Sequence, residues 1–362
     1  MVSMLRNLVA VSIFLCAASA GAAVMTVHLD RPGRAGTDGF DAPWIMSLDG
    51  EIDAAAPARV RAALARTGSA AVAAYLDSTG GDLFAGMEIG QLLRQARANT
   101  HVGRYVAGRG NQGGAGLASA VSRPGVCYSA CSLAFLGGVY RYVGEGSQYG
   151  VHRVSRASGP AAGDLDTGQI VSAGIAHYIR AMGVGQGLLD LLVQQGEHGI
   201  YLLSVAELKT LNVVNNGRLP ADWSLEVSDG GEYLRGMQDT EYGRGKIALL
   251  CDQQKIQMFT FYQVGDKADA MAVGRWAHSL LLDGGMLALP DPDSVVADKG
   301  ELQTFFTLTP EQAGRIAASR SVGHAMQAAR DDATFIGFKV DIPGAASQKV
   351  RAFINHCVAP RS

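Results

Sequence analysis

The sequence predicts an α/β domain, in which helical layers cover a parallel sheet, followed by a smaller α+β or mainly β domain. Strand and helix patterns alternate strictly through the first part of the chain, which is typical of parallel sheets. Residues 212–223 interrupt this pattern with Asn, Gly and Pro and form a natural linker. The chain's first lysine is Lys209, whereas lysines are scattered through everything after it. We therefore expect domains at residues 21–215 and 223–362.

The elements of the first domain follow from period and composition. Strands are predicted at 43–52, 70–78, 101–108 and 147–154, and helices at 54–67, 82–98, 129–138 and, as one or two segments, 167–195. In the second domain, residues 246–264, 302–309 and 333–342 alternate in polarity as half-buried strands do.

The first residues of the chain predict the cellular compartment of the protein. Arg6 precedes a short apolar run, and Ala18-Ser19-Ala20 offers small residues for cleavage, so residues 1–20 are expected to be a secretory signal peptide. Removal of this segment takes Cys16 away and leaves four cysteines in an oxidising space, an even number that favours disulfides. We expect a periplasmic or secreted protein without a membrane span after cleavage.

Charge and composition exclude several partners. The chain has 31 basic and 33 acidic side chains, so nothing favours binding to nucleic acid or an anionic membrane. The glycine-rich residues 108–116 lack a phosphate-binding pattern and are interpreted as a lid beside the site. We predict no cofactor and no metal.

Five segments resemble, in order, the Clp protease proteolytic subunit family and the wider Clp-crotonase group. They are "GEID" at 50–53, "LDSTGGDLFAGMEIGQLLR" at 76–94, "SACSLAFLGG" at 129–138, "YGVHR" at 149–153 and "YLLSVAELKTLNVVN" at 201–215. The resemblance covers residues 44–215. It implies a Clp-crotonase-type parallel sheet, a serine hydrolase that acts on peptides, and a possible homo-oligomer.

The residues themselves support such a site. Acyl transfer needs an activated hydroxyl, a base and two donors aimed at the developing oxyanion. Ser129 begins a predicted helix, where the amide of Ala130 has no helical acceptor. Gly81 lies in a Gly-Gly turn after a buried strand and can bring a second amide close. His152, on the next strand, is the candidate base, although a serine that only caps its helix is the alternative.

The third member of the triad departs from the family. The alignment on "LSVAE" places Ile200 where Clp proteases carry an aspartate, and isoleucine cannot orient an imidazole. Glu197 is our candidate for this role. His198 lies nearby, and Asp164, Asp166 and Asp190 are available if the loops differ. A Ser-Lys dyad is excluded because no lysine precedes Lys209.

The cysteines are expected to form two disulfides. One helical turn can join Cys127 and Cys131, and Cys251 with Cys357 would close almost the whole second domain. A zinc site using Cys127 and Cys131 with His101, His152 or His198 is the alternative for the first pair. His177 is interpreted as a satisfied or surface histidine.

Three functions follow. The leading one is an ATP-independent serine hydrolase that cleaves unfolded or small peptide substrates. The second is an inactive relative that binds a peptide or partner protein in the same cleft. Coenzyme A chemistry, as in crotonases, uses similar oxyanion geometry but lacks its substrate outside the cytoplasm.

Overall fold

The computed structural model describes residues 23–31, 43–106, 121–153, 164–194, 199–228, 231–328 and 335–358. The predicted signal peptide, the predicted lid, Glu197 and His198 lie outside these ranges. The chain divides into two compact units. The N-terminal unit comprises the described residues up to Val139 and Val143–Leu211, and the C-terminal unit comprises Tyr140–Tyr142 and the described residues from Asn212 onward. Helices and several sheets are mixed, as predicted.

The N-terminal unit begins with strand β1, which the sequence analysis did not predict, and the predicted elements follow in their expected order with several further short strands between them. Its elements are β1 Thr26–Asp30, β2 Trp44–Asp49, α1 Ala56–Ala65, β3 Val72–Asp77, α2 Leu83–Gln95, β4 Asn99–Val102, β5 Arg104–Val106, β6 Val121–Arg123, β7 Val126–Tyr128, α3 Ala130–Leu136, β9 Gln148–Val151, α4 Asp164–Ala181, α5 Gly187–Gln194, β10 Tyr201–Leu202 and α6 Val205–Thr210. Strand β8, Arg141–Val143, begins in residues of the C-terminal unit and ends in the N-terminal unit. The strand predicted over 101–108 instead begins at Asn99 and is divided at Gly103, whose φ is 140°.

Two sheets organise the candidate site in this unit, beside the short pair β5-β6. Within the unit the first has the order β1-β2-β3-β4, with β2, β3 and β4 parallel and β1 antiparallel at the edge. In the second, β7 runs parallel to β9, and β10 pairs with β9 in the opposite direction. A parallel bridge between Ser78 and Cys127 links the end of β3 to β7. The carboxyl ends of β3, β7 and β9 are thereby brought to neighbouring positions.

A capping residue and a glycine position helix α2. Asp82 caps its amino terminus by accepting a hydrogen bond from the Ala85 amide at 2.8 Å. A Cβ atom on Gly86 would lie 2.5 Å from the carbonyl oxygen of Ala130 in α3. The absence of side chains here lets α2 approach the backbone of α3 closely.

The C-terminal unit consists of two antiparallel sheets and three α-helices in its described residues. Its elements are β11 Asp222–Ser228, β12 Gly231–Thr240, β13 Gly243–Asp252, β14 Lys255–Gln263, α7 Ala268–Ala272, β15 Trp276–Leu282, β16 Gly285–Leu289, β17 Ser294–Asp298, β18 Glu301–Thr307, α8 Pro310–Ala318, β19 Ser321–Ala328, β20 Phe335–Asp341 and α9 Gly344–Val358. The sheet orders are β11-β12-β13-β14-β18-β17 and β16-β15-β19-β20.

Burial in this unit alternates along the strands, as the sequence pattern predicts. Ile256 and Met258 of β14 and Phe306 of β18 are buried in a core that also receives Ile316 of α8 and Ile354 of α9. Both predicted disulfides form, one between Cys127 and Cys131 and one between Cys251 and Cys357. No helix in the described part of the chain has the length and apolar character needed to span a bilayer.

Candidate active site

Ser129 occupies a one-residue turn between β7 and α3. Its backbone has φ 55° and ψ −124°, a combination that residues with a side chain rarely adopt. Such strain persists only where the surroundings fix it, and it concentrates at functional positions. A sharp, strained strand-to-helix turn is also how hydrolases of another fold expose a nucleophilic serine.

Ser129 does not act as an ordinary helix cap. Asp82, Ser204 and Thr309 precede α2, α6 and α8 with extended backbones, and each accepts a hydrogen bond from an amide of its own helix. Ser129 makes no such side-chain bond. The hydroxyl is therefore left available, and the strained backbone gains nothing from capping.

Neighbouring groups hold Ser129 in this conformation. Its amide donates to the carbonyl of Gly150 in β9 at 3.2 Å. Its carbonyl accepts from both the amide and the hydroxyl of Ser132, at 2.9 and 2.6 Å. The Cys127–Cys131 disulfide joins β7 to the first turn of α3 on either side of the serine. The strain is thus maintained from the strand, the helix and a covalent bridge.

A Gly-Gly turn packs directly against the serine. Gly80 and Gly81 have φ values of 106° and 135°, which disfavour any residue with a side chain. A Cβ atom on Gly80 would lie 2.6 Å from Cβ of Ser129 and 3.1 Å from the amide nitrogen of Ala130. The turn therefore requires glycine both for its conformation and for its closeness to the start of α3.

The hydrogen bonds around this turn leave two amides unused. Gly80 donates to the Ser78 hydroxyl at 3.1 Å, and Asp82 donates to the carbonyl of Ile52 at 2.7 Å. Among the residues that the structure describes, the amides of Gly81 and Ala130 have no acceptor. Unpaired amides beside a strained serine are the groups that an oxyanion hole requires.

His152 is the first residue after β9. The sequence predicted a strand over 147–154 that includes this histidine, but the observed strand ends at Val151. In the parallel pair of β7 and β9, Tyr128 lies opposite Gly150, so Ser129 and His152 come one and two residues after this pair. Nδ1 of His152 lies 2.8 Å from the carbonyl oxygen of Arg153. Because a carbonyl can only accept, Nδ1 carries a proton, and Nε2 is the ring nitrogen that can take a proton from a substrate or from Ser129.

The orienting carboxylate is absent from the described surroundings of His152. Asp190 is exposed on α5, and among the described residues the hydrogen bond of the His152 ring is to the Arg153 carbonyl. The side chains of Asp164 and Asp166, like Glu197, lie outside the described residues. Since Tyr201 pairs with Val151, the antiparallel register places Ile200 beside His152. Among described residues, the Arg153 carbonyl is the group that fixes this imidazole.

Two polar residues that the sequence analysis did not single out support the site. Asp77 ends β3, is buried, accepts a hydrogen bond from the Val126 amide at 2.8 Å and pairs with Arg104. Burial, and then the charge of Asp77, raise the pKa of the neighbouring Asp49. Ser78 holds the Gly-Gly turn through its hydroxyl. Both residues stand in "LDSTGG" where a buried strand ends. Their position there could have indicated a role at the site.

Histidines and cysteines of the described ranges form no metal site. The zinc alternative for Cys127 and Cys131 is wrong because their sulfurs are bonded to each other and offer no thiolate. His101 stacks on Tyr75, and burial lowers its pKa to about 4. His177 is exposed on α4, which fits the predicted surface position.

Comparisons with known proteins found no matching family model and no matching curated protein. Similar solved structures include a Ser-to-Ala mutant of the 1510-N membrane-bound stomatin-specific protease. It is 17% identical, with 47% of this chain and 75% of that chain covered and a TM-score of 0.32. Another is an Asn-to-Asp mutant of ClpP1 from Listeria monocytogenes, 16% identical, with coverage of 46% and 85% and a TM-score of 0.33. The local geometry at Ser129, rather than these likenesses, carries the proposal that follows.

Proposed function

We propose that the N-terminal unit is an ATP-independent serine peptidase of the Clp-crotonase type, with Ser129 as nucleophile and His152 as general base. The observation that carries this proposal is the strained Ser129 turn packed against two unused amides, those of Gly81 and Ala130. A serine that only begins a helix would not need this conformation.

The geometry suggests a two-step acyl transfer. Nε2 of His152 takes the Ser129 proton as Oγ attacks the substrate carbonyl carbon, and the negative oxygen binds the amides of Gly81 and Ala130. The imidazolium then protonates the leaving amine. Water attacks the acyl-enzyme with His152 again as base, which releases the acid and restores the serine. The Arg153 carbonyl fixes the tautomer but supplies less charge to the imidazolium than a carboxylate would.

The disulfides and the predicted signal peptide indicate the cellular compartment of the proposed enzyme. Two disulfides and the predicted signal peptide favour a periplasmic or secreted protein. Nucleotide-driven unfoldases are not expected there, so the substrates proposed are peptides and already unfolded proteins. Selectivity would come from the predicted lid at 108–116, from a homo-oligomer, or from the C-terminal domain at 223–362.

Covalent labelling with a fluorophosphonate tests the nucleophile. The full chain is expected to be labelled at Ser129, and Ser129→Ala is expected to remove the label because Ser129 is the one serine or threonine of the described ranges with a positive φ. Ser172→Ala is a matched control, since Ser172 is exposed on α4. Labelling that persists in folded Ser129→Ala would place the nucleophile elsewhere.

The base is tested by His152→Ala in a peptidase assay. We expect the hydrolysis rate to fall by a factor of at least about 10² when proton transfer limits the rate. His177→Ala, a change at an exposed histidine of the same unit, is expected to leave the rate unchanged. Full activity in folded His152→Ala would remove His152 from the mechanism.

The second candidate is a binding protein that holds a peptide or partner protein in this cleft without cleaving it. It is favoured by Ile200, which the register of β9 and β10 places beside His152 and which cannot orient an imidazole as a carboxylate would. A folded wild-type chain that binds peptides but neither reacts with fluorophosphonate nor hydrolyses them would select this function.

A further inference from the structure

A cleft of about 630 Å³ opens in the C-terminal unit beside α7 and β15. Apolar side chains form much of its lining, namely Met271, Val295, Leu302 and Met326. Trp276 also lines it, and its indole N–H donates to the Met271 carbonyl at 2.9 Å. With that donor occupied, the indole ring contributes apolar surface. The volume falls within the range of small-ligand sites, about 300–1,000 Å³.

One side of the cleft is polar and rests on a buried network. His278 and Thr304 line the cleft although only 7% and 1% of their surfaces are exposed. Nδ1 of His278 lies 3.1 Å from Nε2 of His324, a residue with no exposed surface. The two imidazoles are parallel, with centroids 5.2 Å apart. This arrangement makes His278 the outer member of a buried histidine pair.

The hydrogen bonds fix where the protons lie in this pair. Tyr262 donates its one hydroxyl proton to the His324 carbonyl at 2.7 Å, while its oxygen also lies 3.0 Å from Nδ1 of His324. Two lone pairs would repel at that distance, so we assign the proton to Nδ1 of His324. This nitrogen then donates to the Tyr262 oxygen and to the Thr260 hydroxyl at 3.1 Å, while Thr260 donates to Thr304. Burial lowers the pKa of His324 to about 3, which keeps the ring neutral and leaves Nε2 as an acceptor. His278 therefore donates from Nδ1.

It follows that Nε2 of neutral His278 is an acceptor. Within the described residues no group donates to it. Burial lowers the pKa of His278, and the charge of Asp291 partly offsets this effect. Asp291 and Arg275, both exposed, also line the cleft. The cleft thus offers an uncharged acceptor, a carboxylate and a guanidinium together with apolar walls, a combination suited to an apolar ligand that carries an amine beside a carbonyl group.

We propose that this cleft binds the amino-terminal residue of peptides that begin with an apolar or aromatic side chain. The side chain would occupy the surface of Met271, Leu302 and Met326, and the ammonium would bind Asp291 and Nε2 of His278. A buried acceptor without a donor is costly, and a ligand N–H would satisfy it. This binding does not depend on the chemistry of Ser129.

Calorimetric titration of the full chain tests the proposal, with Ser129→Ala as background so that no probe is consumed. We expect the dipeptide Phe-Gly to bind and its N-acetyl derivative to bind at least ten-fold more weakly. Asp291→Asn is expected to weaken Phe-Gly about ten-fold, because the ammonium loses its charged partner. Asp298→Asn, a change at another exposed carboxylate that does not line the cleft, is the control.

His278→Phe keeps an aromatic ring but removes the acceptor, and it is also expected to weaken Phe-Gly. Phenylalanine amide, a small apolar amine, tests whether the cleft recognises the first residue of a peptide or any apolar amine. Equal or weaker binding of this amide than of Phe-Gly agrees with recognition of a peptide's first residue, whereas binding of the amide without the dipeptide contradicts it. Equal binding of Phe-Gly and its acetylated form, no binding of either, or equal effects of the two aspartate changes would overturn the proposal.

Discussion

At the residue scale, the proposed active site depends on the backbone conformation of Ser129. The sequence could place Ser129 at a helix start and Gly81 in a Gly-Gly turn, because those patterns are local. It could not reveal a φ of 55°, which depends on bonds to Gly150 and Ser132. The role of Asp77 was missed for the same reason, since its partner Val126 lies 49 positions along the chain.

The missing carboxylate gives a prediction at the same scale. Ile200 lies beside His152 in the register of β9 and β10, and 46% of its surface is exposed. Ile200→Asp is therefore expected to raise the peptidase rate at least several-fold, because an aspartate there would stabilise the imidazolium. The rate is measured with a chromogenic peptide ester.

Leu202→Asp provides the matched control. Leu202 is in the same short strand, has the same exposed fraction of 46%, and pairs with Gly150 rather than lying beside His152. Comparable rates in the two variants would show that added negative charge, and not orientation of the imidazole, is responsible. No increase in folded Ile200→Asp would place the orienting group elsewhere, with Glu197 the first candidate.

At the element scale, periodicity predicted helices α1 to α5 and the central strands β2 and β3 well because it depends on neighbouring residues. It did not predict the helices of the C-terminal unit. It did not predict β1, an edge strand with mixed burial. It also did not predict the pairing of β5 with β6, because the segment between them was interpreted as a lid. The sequence did not predict the close contact of α2 with α3 either, because a glycine in a helix has several possible roles.

That helix contact yields a prediction about activity. A Cβ atom at Gly86 would lie 2.5 Å from the Ala130 carbonyl oxygen, so Gly86→Ala must displace the start of α3. Because the Ala130 amide is the proposed oxyanion donor, the rate is expected to fall about 10²-fold or more, as loss of such a donor does. The measurements are kcat for a peptide substrate and the free energy of unfolding.

Gly174→Ala is the control for this change. Gly174 is exposed within α4 and has no atom within 4 Å of an added Cβ, so alanine is expected to stabilise the helix by up to about 1 kcal/mol. The rate should stay unchanged. An unchanged rate in Gly86→Ala as well would mean that the position of the Ala130 amide does not limit catalysis.

At the scale of the whole molecule, the two units hold different kinds of polar centre. The N-terminal unit places Ser129 and His152 at strand ends, where sequence motifs can indicate them. The C-terminal unit assembles Thr260, Tyr262, His278, Thr304 and His324 from four strands. No short motif records that assembly, because each residue occupies an inward position of its own strand. The cleft was accordingly not predicted from the sequence.

This buried network makes the stability of the C-terminal unit depend on pH. The pKa of His324 is lowered to about 3 by burial and by His278, against about 6.5 in an unfolded chain. Above pH 6.5 both states are neutral and the full stability is present. As the pH falls, the unfolded state binds a proton that the folded state does not, so stability is lost between about pH 6.5 and 3. From pH 7 to 4.5 this group should cost roughly 2 kcal/mol.

The measurement is urea unfolding followed by tryptophan fluorescence in a Trp44→Phe background, because the chain's other two tryptophans, Trp223 and Trp276, are both in the C-terminal unit. His324→Gln is expected to lose less stability than the parent between pH 7 and 4.5, even though it is less stable at pH 7. His356→Gln, a change at an exposed position of α9, should retain the parent's acid dependence. An acid dependence in His324→Gln equal to that of the parent would show that His324 binds its proton as readily in the folded chain as in the unfolded one, and would contradict the lowered pKa of this group.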